Sequence, residues 1–293
     1  MGKGHVFTSI IGTFRFNEHF RLIDSKMFIN IEQYKCPEVD LEEKALEKVL
    51  GHLKDKRYFE AFYKQNMALT KKDIKEAVKD DLLIIQIVSN VVEIERAVNT
   101  LIKRLREWYG LYNPEFENSI TDQEKFIELV LKNSEKKAKD SMGADFSKEN
   151  LEPMLDLAKN VEELFGLKKR QETYLEKMMK KVCPNVLAIT GATIGAKLLS
   201  QAGGLKQLML FPASTIQLLG AEKALFRHMK TGARSPKYGF IHEHPLISKN
   251  PRKIHGKIAR ALADKISLAV KIDYFKGKFI GDKLLKLVED KFK

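Results

Sequence analysis

The chain has 293 residues, 44% hydrophobic and 31% charged, with a formal net charge of +13. That length exceeds one ordinary core and implies two or three domains. Residues 1–70 hold 11 Lys/Arg against 10 Asp/Glu, residues 71–183 hold 21 against 22, and residues 184–293 hold 20 against 7. A neutral body with a basic carboxy-terminal part argues against a uniformly basic protein and points to a polyanion, nucleic acid first.

The first 65 or so residues mix two signals. "HVFTSIIGTFRF" and "KMFINIEQY" are rich in β-branched and aromatic residues and read as strands, whereas "DLEEKALEKVLGHLKDKRYFEAFYKQ" has helical spacing. A small α/β domain is expected over residues 1–68.

The strongest periodicity follows. Ile84, Ile87, Val91, Ile94, Val98, Leu101, Leu105 and Trp108 recur at spacings of 3 and 4, a heptad seam about 37 Å long. Ile85, Val88, Val92 and Ile102 widen it beyond what one partner helix covers, so pairing with a second copy, or with another protein, is expected through Ile84, Ile87, Val91, Ile94, Val98, Leu101 and Leu105, a monomeric helical bundle being the alternative. "GLYNPEFENS" breaks the helix at Gly110 and Pro114, and a short amphipathic helix is expected from about Thr121 to Lys139. A poorer seam reads Leu151, Met154, Ala158, Val161, Phe165, Leu175, Met179 and Val182, weakened by Lys168 and Glu172. Residues 69–183 thus read as an antiparallel coiled-coil hairpin.

Pro184 closes the second long helix. In "NVLAITGATIGAKLLSQAGG", Gly191 and Gly195 suggest close helix packing. Residues 184–293 read as a helical domain ending in the basic amphipathic "NPRKIHGKIARALADKISLAVKIDYF". Lys223, Arg227 and Lys230 fall at i, i+4 and i+7 on one helix face, while Leu225, Phe226 and Met229 are expected to anchor that helix to a core. Between Gly203 and Lys237 the chain also places Gly204, Lys206, Gln217, Gly220 and Arg234. Glycines permit close backbone approach and cations neutralise phosphates, so these residues form the candidate RNA-binding set. "KTGARSPKYGFIHEH" adds a basic and aromatic loop suited to an accessible RNA element. Glu222 is expected to support the helix start or to orient a neighbouring base.

Catalytic signatures are missing. "HEH" at 242–244 lacks zincin spacing, and there is no P-loop, GxGxxG or GxSxG. Cys36 and Cys183 lie far apart, each before a proline, without a disulfide or zinc pattern, which fits a reducing compartment. No catalytic residue, metal or cofactor is expected in this chain. "LLIIQIVSNVVEI" from Leu82 is polar-interrupted and too short to span a bilayer, and the start lacks a signal peptide's apolar core. A soluble intracellular protein without a membrane partner is expected.

The segment "GATIGAKLLSQAGGLKQLMLFPASTIQLLGAEKALFRHMKTGARSPKYGFIHEHPLI" resembles the signature of the Nop domain, and "LREWYGLYNPEF" resembles the family's motif after its first long helix. Across nearly its whole length the chain resembles the archaeal Nop-five type of box C/D ribonucleoprotein core protein. Its end at Lys293, without the Lys/Glu-rich tail of eukaryotic relatives, favours that type. The resemblance implies a mainly α fold: a small α/β amino-terminal domain that docks fibrillarin, a coiled coil that pairs two copies, and a helical carboxy-terminal Nop domain. It maps the GAEKALFR helix to Gly220–Arg227, the basic loop to Arg234–Lys237 and the AGGL turn to Ala202–Leu205. The implied partners are fibrillarin methyltransferase, a guide RNA with a kink-turn, a ribosomal-type kink-turn-binding protein and a second copy of the chain. S-adenosylmethionine is then expected on fibrillarin only, and the location is cytoplasmic in an archaeon or nucleolar in a eukaryote. The alternative is an assembly factor of another kink-turn particle, of spliceosomal type, without a methyltransferase partner.

Overall fold

Residues 5–34, 43–132 and 141–292 are described by a computed structural model. Contacts divide the chain into two units, residues 1–79 and 80–293.

In the first unit, β1 (His5–Ser9), β2 (Gly12–Phe16) and β3 (Leu22–Met27) form an antiparallel sheet in the order β1-β2-β3. The tight Ile10–Ile11 turn sets Ser9 opposite Gly12. Gly12 has no alternative, because a Cβ there would lie 2.4 Å from the Lys26 carbonyl oxygen on β3. Period-two alternation turns Phe14 and Phe16 inward, where they pack with Ile11, Val49 and Tyr58. Val49 lies on α1 (Glu43–Leu53); Asp55 then caps a 3-10 turn by accepting from the Arg57 amide, and α2 (Phe59–Ala77) follows. The second strand-like stretch is misplaced in the sequence reading: only its first residues belong to β3, and Ile31–Gln33 is a 3-10 turn. The domain end expected after residue 68 falls inside α2. Cys36 lies outside the described residues.

The second unit is helical: α3 (Asp80–Tyr112), α4 (Pro114–Ser119), α5 (Gln123–Lys132), α6 (Lys148–Val182), α7 (Pro184–Ala202), α8 (Leu205–Leu210), α9 (Ala213–Leu218), α10 (Glu222–Thr231), α11 (Pro245–Ser248), α12 (His255–Tyr274) and α13 (Gly281–Lys291). α3 and α6 run antiparallel, as ion pairs Lys181–Asp80 at 2.8 Å and Lys168–Glu95 at 3.1 Å record. The weak middle of the second seam is explained by Glu95, which receives Lys168 from across the pair. α3 passes straight through Gly110 and stops at Asn113, whose side chain accepts from the Phe116 amide ahead of Pro114. The helix expected from Thr121 ends at Lys132; its further part falls on residues 133–140, outside the described set.

The seam residues meet a different fate from the one expected. Ile84, Ile87, Val91, Ile94, Val98 and Leu105 are all buried within the chain itself, against α6 and the helices after it, and Leu101 is half-buried. They therefore close the hairpin and present no free pairing face. Beyond Val98 the buried stripe shifts to Ile102, Leu105, Tyr109 and Tyr112, leaving Trp108 at 36% exposure. A straight helix of 3.6 residues per turn drifts from a 3.5-residue repeat, and one extra step of four absorbs the drift.

The base of the hairpin and the carboxy-terminal helices share one core. Ile84, Ile87, Val88, Leu175, Met179 and Cys183 pack with Val186, Ile258, Leu262, Ile266 and Val270. Residue 183, the expected domain end, is thus a buried junction. Gly195 lies so close to α6 that a Cβ would sit 2.7 Å from Met179 Cε, whereas Gly191, at φ 75°, puts a kink into α7. One of the two glycines serves packing, the other bending.

Candidate nucleic-acid interface

No residue of α10 is buried, although the helix is ten residues long. It starts from Gly220 at φ 89°, where a Cβ would lie 2.8 Å from the Phe240 ring, so only glycine fits. The Gly220 amide donates to Glu222 Oε1 at 2.7 Å. Glu222 thereby supports the helix start, the first of the two roles expected for it. Gly232, at φ 67°, ends the helix with its amide on the His228 carbonyl. Thr231 Oγ1 donates to the Arg227 carbonyl at 2.8 Å, and the His228 ring meets the Ala233 carbonyl, tying the helix end to the loop that follows.

Lys223, Arg227 and Lys230 are exposed, and no ion pair neutralises them among the described residues. The expected anchors are different: Leu225 is half-buried, but Phe226 and Met229 are 58% and 62% exposed. A ten-residue helix held mainly at its ends cannot bury both faces, so the apolar side stays open beside the cations. The surface therefore offers phosphate-neutralising charge and an apolar contact together.

The other expected residues separate into two places. Gln217 and Lys237 come together: Gln217 Nε2 donates to the Lys237 carbonyl at 2.6 Å, and the Gly239 amide donates to the Gln217 carbonyl at 2.9 Å. Both line an open cleft of about 1010 Å³, in which Lys253, Lys257, Arg260 and Lys291 join them. Arg234 is exposed on the same loop. Gly203 and Gly204 behave otherwise. At φ 83° and 131° they make the α7–α8 turn, their amides on the Leu199 carbonyl, and Asp81 Oδ2 from α3 accepts from the Leu205 amide at 3.0 Å. A Cβ on Gly204 would lie 3.0 Å from that carboxylate. Both glycines thus serve the fold of this turn; Gly204 is buried, while Gly203 and Lys206, next along α8, are exposed.

The residues missed by sequence reasoning carry a signal that was present. Lys253, Lys257 and Arg260 stand at i, i+4 and i+7, the spacing of the α10 stripe. Gly239 was also missed; a Cβ there would fall 1.8 Å from the Leu219 carbonyl oxygen.

The histidines of "HEH" are structural. His244 Nε2 donates to the Ile189 carbonyl at 2.8 Å and Nδ1 accepts from the Leu246 amide at 3.2 Å, which fixes its neutral tautomer at the start of α11. Burial lowers its pKa, opposed by the Ile189 carbonyl and Glu289. Glu243 pairs with Lys197 at 2.7 Å, and His242 stacks on Tyr238 at 4.8 Å. Among the described residues no group of three His, Cys, Asp or Glu could hold a metal ion. No described helix is long and apolar enough to cross a membrane.

Comparison with known proteins places these features in a family. A family model described as Nop, snoRNA binding domain, fibrillarin, matches residues 90–293. An uncharacterised NOP5 family protein of Methanocaldococcus jannaschii is 39% identical over 241 residues, 74% of this chain and 58% of that protein. Nucleolar protein 56 of Dictyostelium discoideum is 37% identical over 246 residues, 73% of this chain and 45% of that one. Human nucleolar protein 56 is 35% identical over 240 residues, 72% of this chain and 40% of that one. The chain thus spans about half the length of the curated relatives it matches. A solved chain from a fibrillarin/Nop5p complex is similar at a TM-score of 0.49 and 24% identity, with 98% of each chain covered. With well over half of its residues matched to that family model, the chain belongs to the Nop family.

Proposed function

We propose that this protein is a non-catalytic scaffold of a box C/D guide ribonucleoprotein that directs 2′-O-methylation of RNA. The observation that carries the reading is α10, where Lys223, Arg227 and Lys230 stand unneutralised beside exposed Phe226 and Met229. Such a surface suits an RNA backbone and a bound protein together, as a guide RNA kink-turn holding its small ribosomal-type protein would present. The family description, snoRNA binding with fibrillarin, supports the same reading.

Fibrillarin is the proposed partner of the amino-terminal unit. There α2 exposes Phe59, Tyr63 and Met67 at helical spacing, an apolar strip suited to a protein surface. S-adenosylmethionine belongs to that partner. Self-pairing through the coil is also proposed. Since the seam is enclosed, the pairing face comes from exposed residues near the hairpin tip, Trp108 and Leu111 foremost. The particle is cytoplasmic in an archaeon and nucleolar in a eukaryote. A spliceosomal-type assembly role without a methyltransferase would leave the amino-terminal unit unused, and the strip on α2 favours the first reading.

The test is titration of the protein against a labelled box C/D guide RNA, with and without the kink-turn-binding protein, at two salt concentrations. Binding that requires that protein, weakens with salt and falls at least tenfold in Arg227→Glu/Lys230→Glu supports the proposal. Equal weak binding to any RNA, or unchanged affinity in the folded variant, overturns it.

A further inference from the structure

The cleft beside α9 carries a charge density that α10 does not explain. Its walls come from four places in the chain: Ala213, Ser214 and Gln217 on α9, Pro236 and Lys237 on the loop after α10, Lys253 just before α12 with Lys257, Arg260 and Asp264 on it, and Lys291 and Phe292 at the end of α13. No residue of α10 lines it. Five cations face it, Lys237, Lys253, Lys257, Arg260 and Lys291, against one carboxylate, Asp264, which is paired with Lys265 at 3.0 Å. Lys237, Lys253, Lys257 and Arg260 have no ion-pair partner among the described residues. Like charges gathered in a concavity repel one another, a cost that a bound polyanion relieves.

The arrangement is linear. Lys257 and Arg260 lie on one flank of the first two turns of α12, and Lys253 precedes them in the turn that leads into the helix. The opposite flank, Ile258, Leu262 and Ile266, is buried in the core and holds the track rigid. The Lys237 stem lies across Gly256, 3.5 Å from where a Cβ would stand, and carries the track over to the loop of Arg234. α12 begins without a side-chain cap or an acidic residue in its first turn, so its positive end adds to the field. Phe292 supplies an aromatic ring in the wall.

We propose that this cleft is a second backbone-binding track, which takes a single-stranded segment of the same RNA that α10 engages. A positively charged groove with an aromatic ring in its wall is the recurring design for a single strand. An open cleft of about 1010 Å³ has room for a short single-stranded segment. An acidic protein segment is the weaker fit, because the walls, built from helices and a loop, offer no free strand edge along which a peptide could pair. The track reads phosphates and therefore adds affinity without sequence preference.

The inference rests on the RNA-binding reading above, and the test separates the two. Lys253→Gln/Lys257→Gln/Arg260→Gln changes exposed side chains only, and its melting temperature is expected to stay at the wild-type value. Wild type, this triple variant and Arg227→Glu/Lys230→Glu are titrated with the same labelled guide RNA and kink-turn-binding protein at several salt concentrations, with hydroxyl-radical footprints of each complex. The triple variant is expected to lose at least tenfold in affinity and to flatten the log–log salt slope by about 2, at ~0.7 per single-strand phosphate contact. It should also lose protection of a single-stranded stretch that Arg227→Glu/Lys230→Glu retains. An unchanged slope and footprint in the triple variant, with binding still weakened in the α10 variant, overturns the track and leaves the RNA-binding reading standing. No effect in either variant overturns both. An unchanged RNA slope with loss of the kink-turn-binding protein or fibrillarin from the assembled particle identifies a protein occupant and overturns the track.

Discussion

Asp273, at the end of α12, accepts a hydrogen bond from the Asn185 side-chain amide at 2.7 Å, pinning the start of α7. Its carboxylate also accepts from the Asn185 and Val186 amides at 3.2 and 2.9 Å, and Asn185 Oδ1 accepts from the Ile280 amide at 2.7 Å. Cys183, the residue before α7, offers no side-chain cap, so Asp273 satisfies amides that would otherwise be buried and unpaired. One carboxylate thus joins α7 and α12 directly, and Asn185 extends the link to the residue before α13.

Removing that acceptor should be costly. Asp273→Ala strands three buried donors at about 1–3 kcal/mol each, so a loss of several kcal/mol by urea denaturation is expected. Burial raises the Asp273 pKa above its usual value against the pull of these hydrogen bonds. A raised folded-state pKa means the folded form holds its proton more tightly. That contribution to stability is present below the unfolded pKa and is lost as pH rises through the folded one. Relative to Asp273→Asn, the wild type should therefore lose stability as pH rises from about 3 into the range above the usual carboxylate value. A stability difference that does not vary with pH would refute this.

His244 works in the opposite direction. Its depressed pKa keeps it neutral in the fold, so its contribution is present above the unfolded value of 6.5 and is lost as pH falls through the folded one. Protonation would cost the acceptor that receives the Leu246 amide. Unfolding free energies measured between pH 7 and pH 5 should fall less steeply in His244→Gln than in wild type. Parallel curves would show that His244 does not couple folding to pH.

The enclosed seam and the exposed hairpin tip make separable predictions. Val91→Asn buries an unpaired polar group against the α3–α6 core and should cost about 2–4 kcal/mol, with loss of helicity and melting temperature. Trp108→Glu/Leu111→Glu should leave the melting temperature within a few degrees and reduce the mass seen by light scattering. If Val91→Asn halves the mass with full helicity retained, the seam is the pairing face after all.

Gly239 and Gly232 should respond differently to alanine. At Gly232 the new methyl meets open space and the cost is the left-handed backbone, about 1–2 kcal/mol. At Gly239 the methyl collides with the Leu219 carbonyl oxygen, so the loop carrying Arg234 and Lys237 must shift. The larger drop in melting temperature is expected for Gly239→Ala, together with weaker RNA binding; equal drops would mean the loop yields freely.

Local chemistry made much of this legible in the chain. The heptad spacing from Ile84 to Val98, the stop at Pro114 and the i, i+4, i+7 stripe on α10 each depend on neighbours within a turn or two, where spacing alone decides which side chains share a face. The shift from Trp108 to Tyr109 depends on accumulated helical drift, which no single heptad reveals. That Asp81, over a hundred residues earlier, holds the turn of Gly203 and Gly204 is a long-range contact that no local spacing reveals.

By itself the sequence determined the mainly helical architecture, the basic carboxy-terminal part and the family, because composition, periodicity and motif survive without coordinates. Tertiary structure alone decided that the seam is spent inside the chain, since burial depends on what α6 and α7 leave uncovered. It alone decided that Phe226 and Met229 face solvent. It also gathered cations from the loop after α10, α12 and α13 into one cleft beside α9, because charges far apart in the chain become a single field only once packing sets the distances between them.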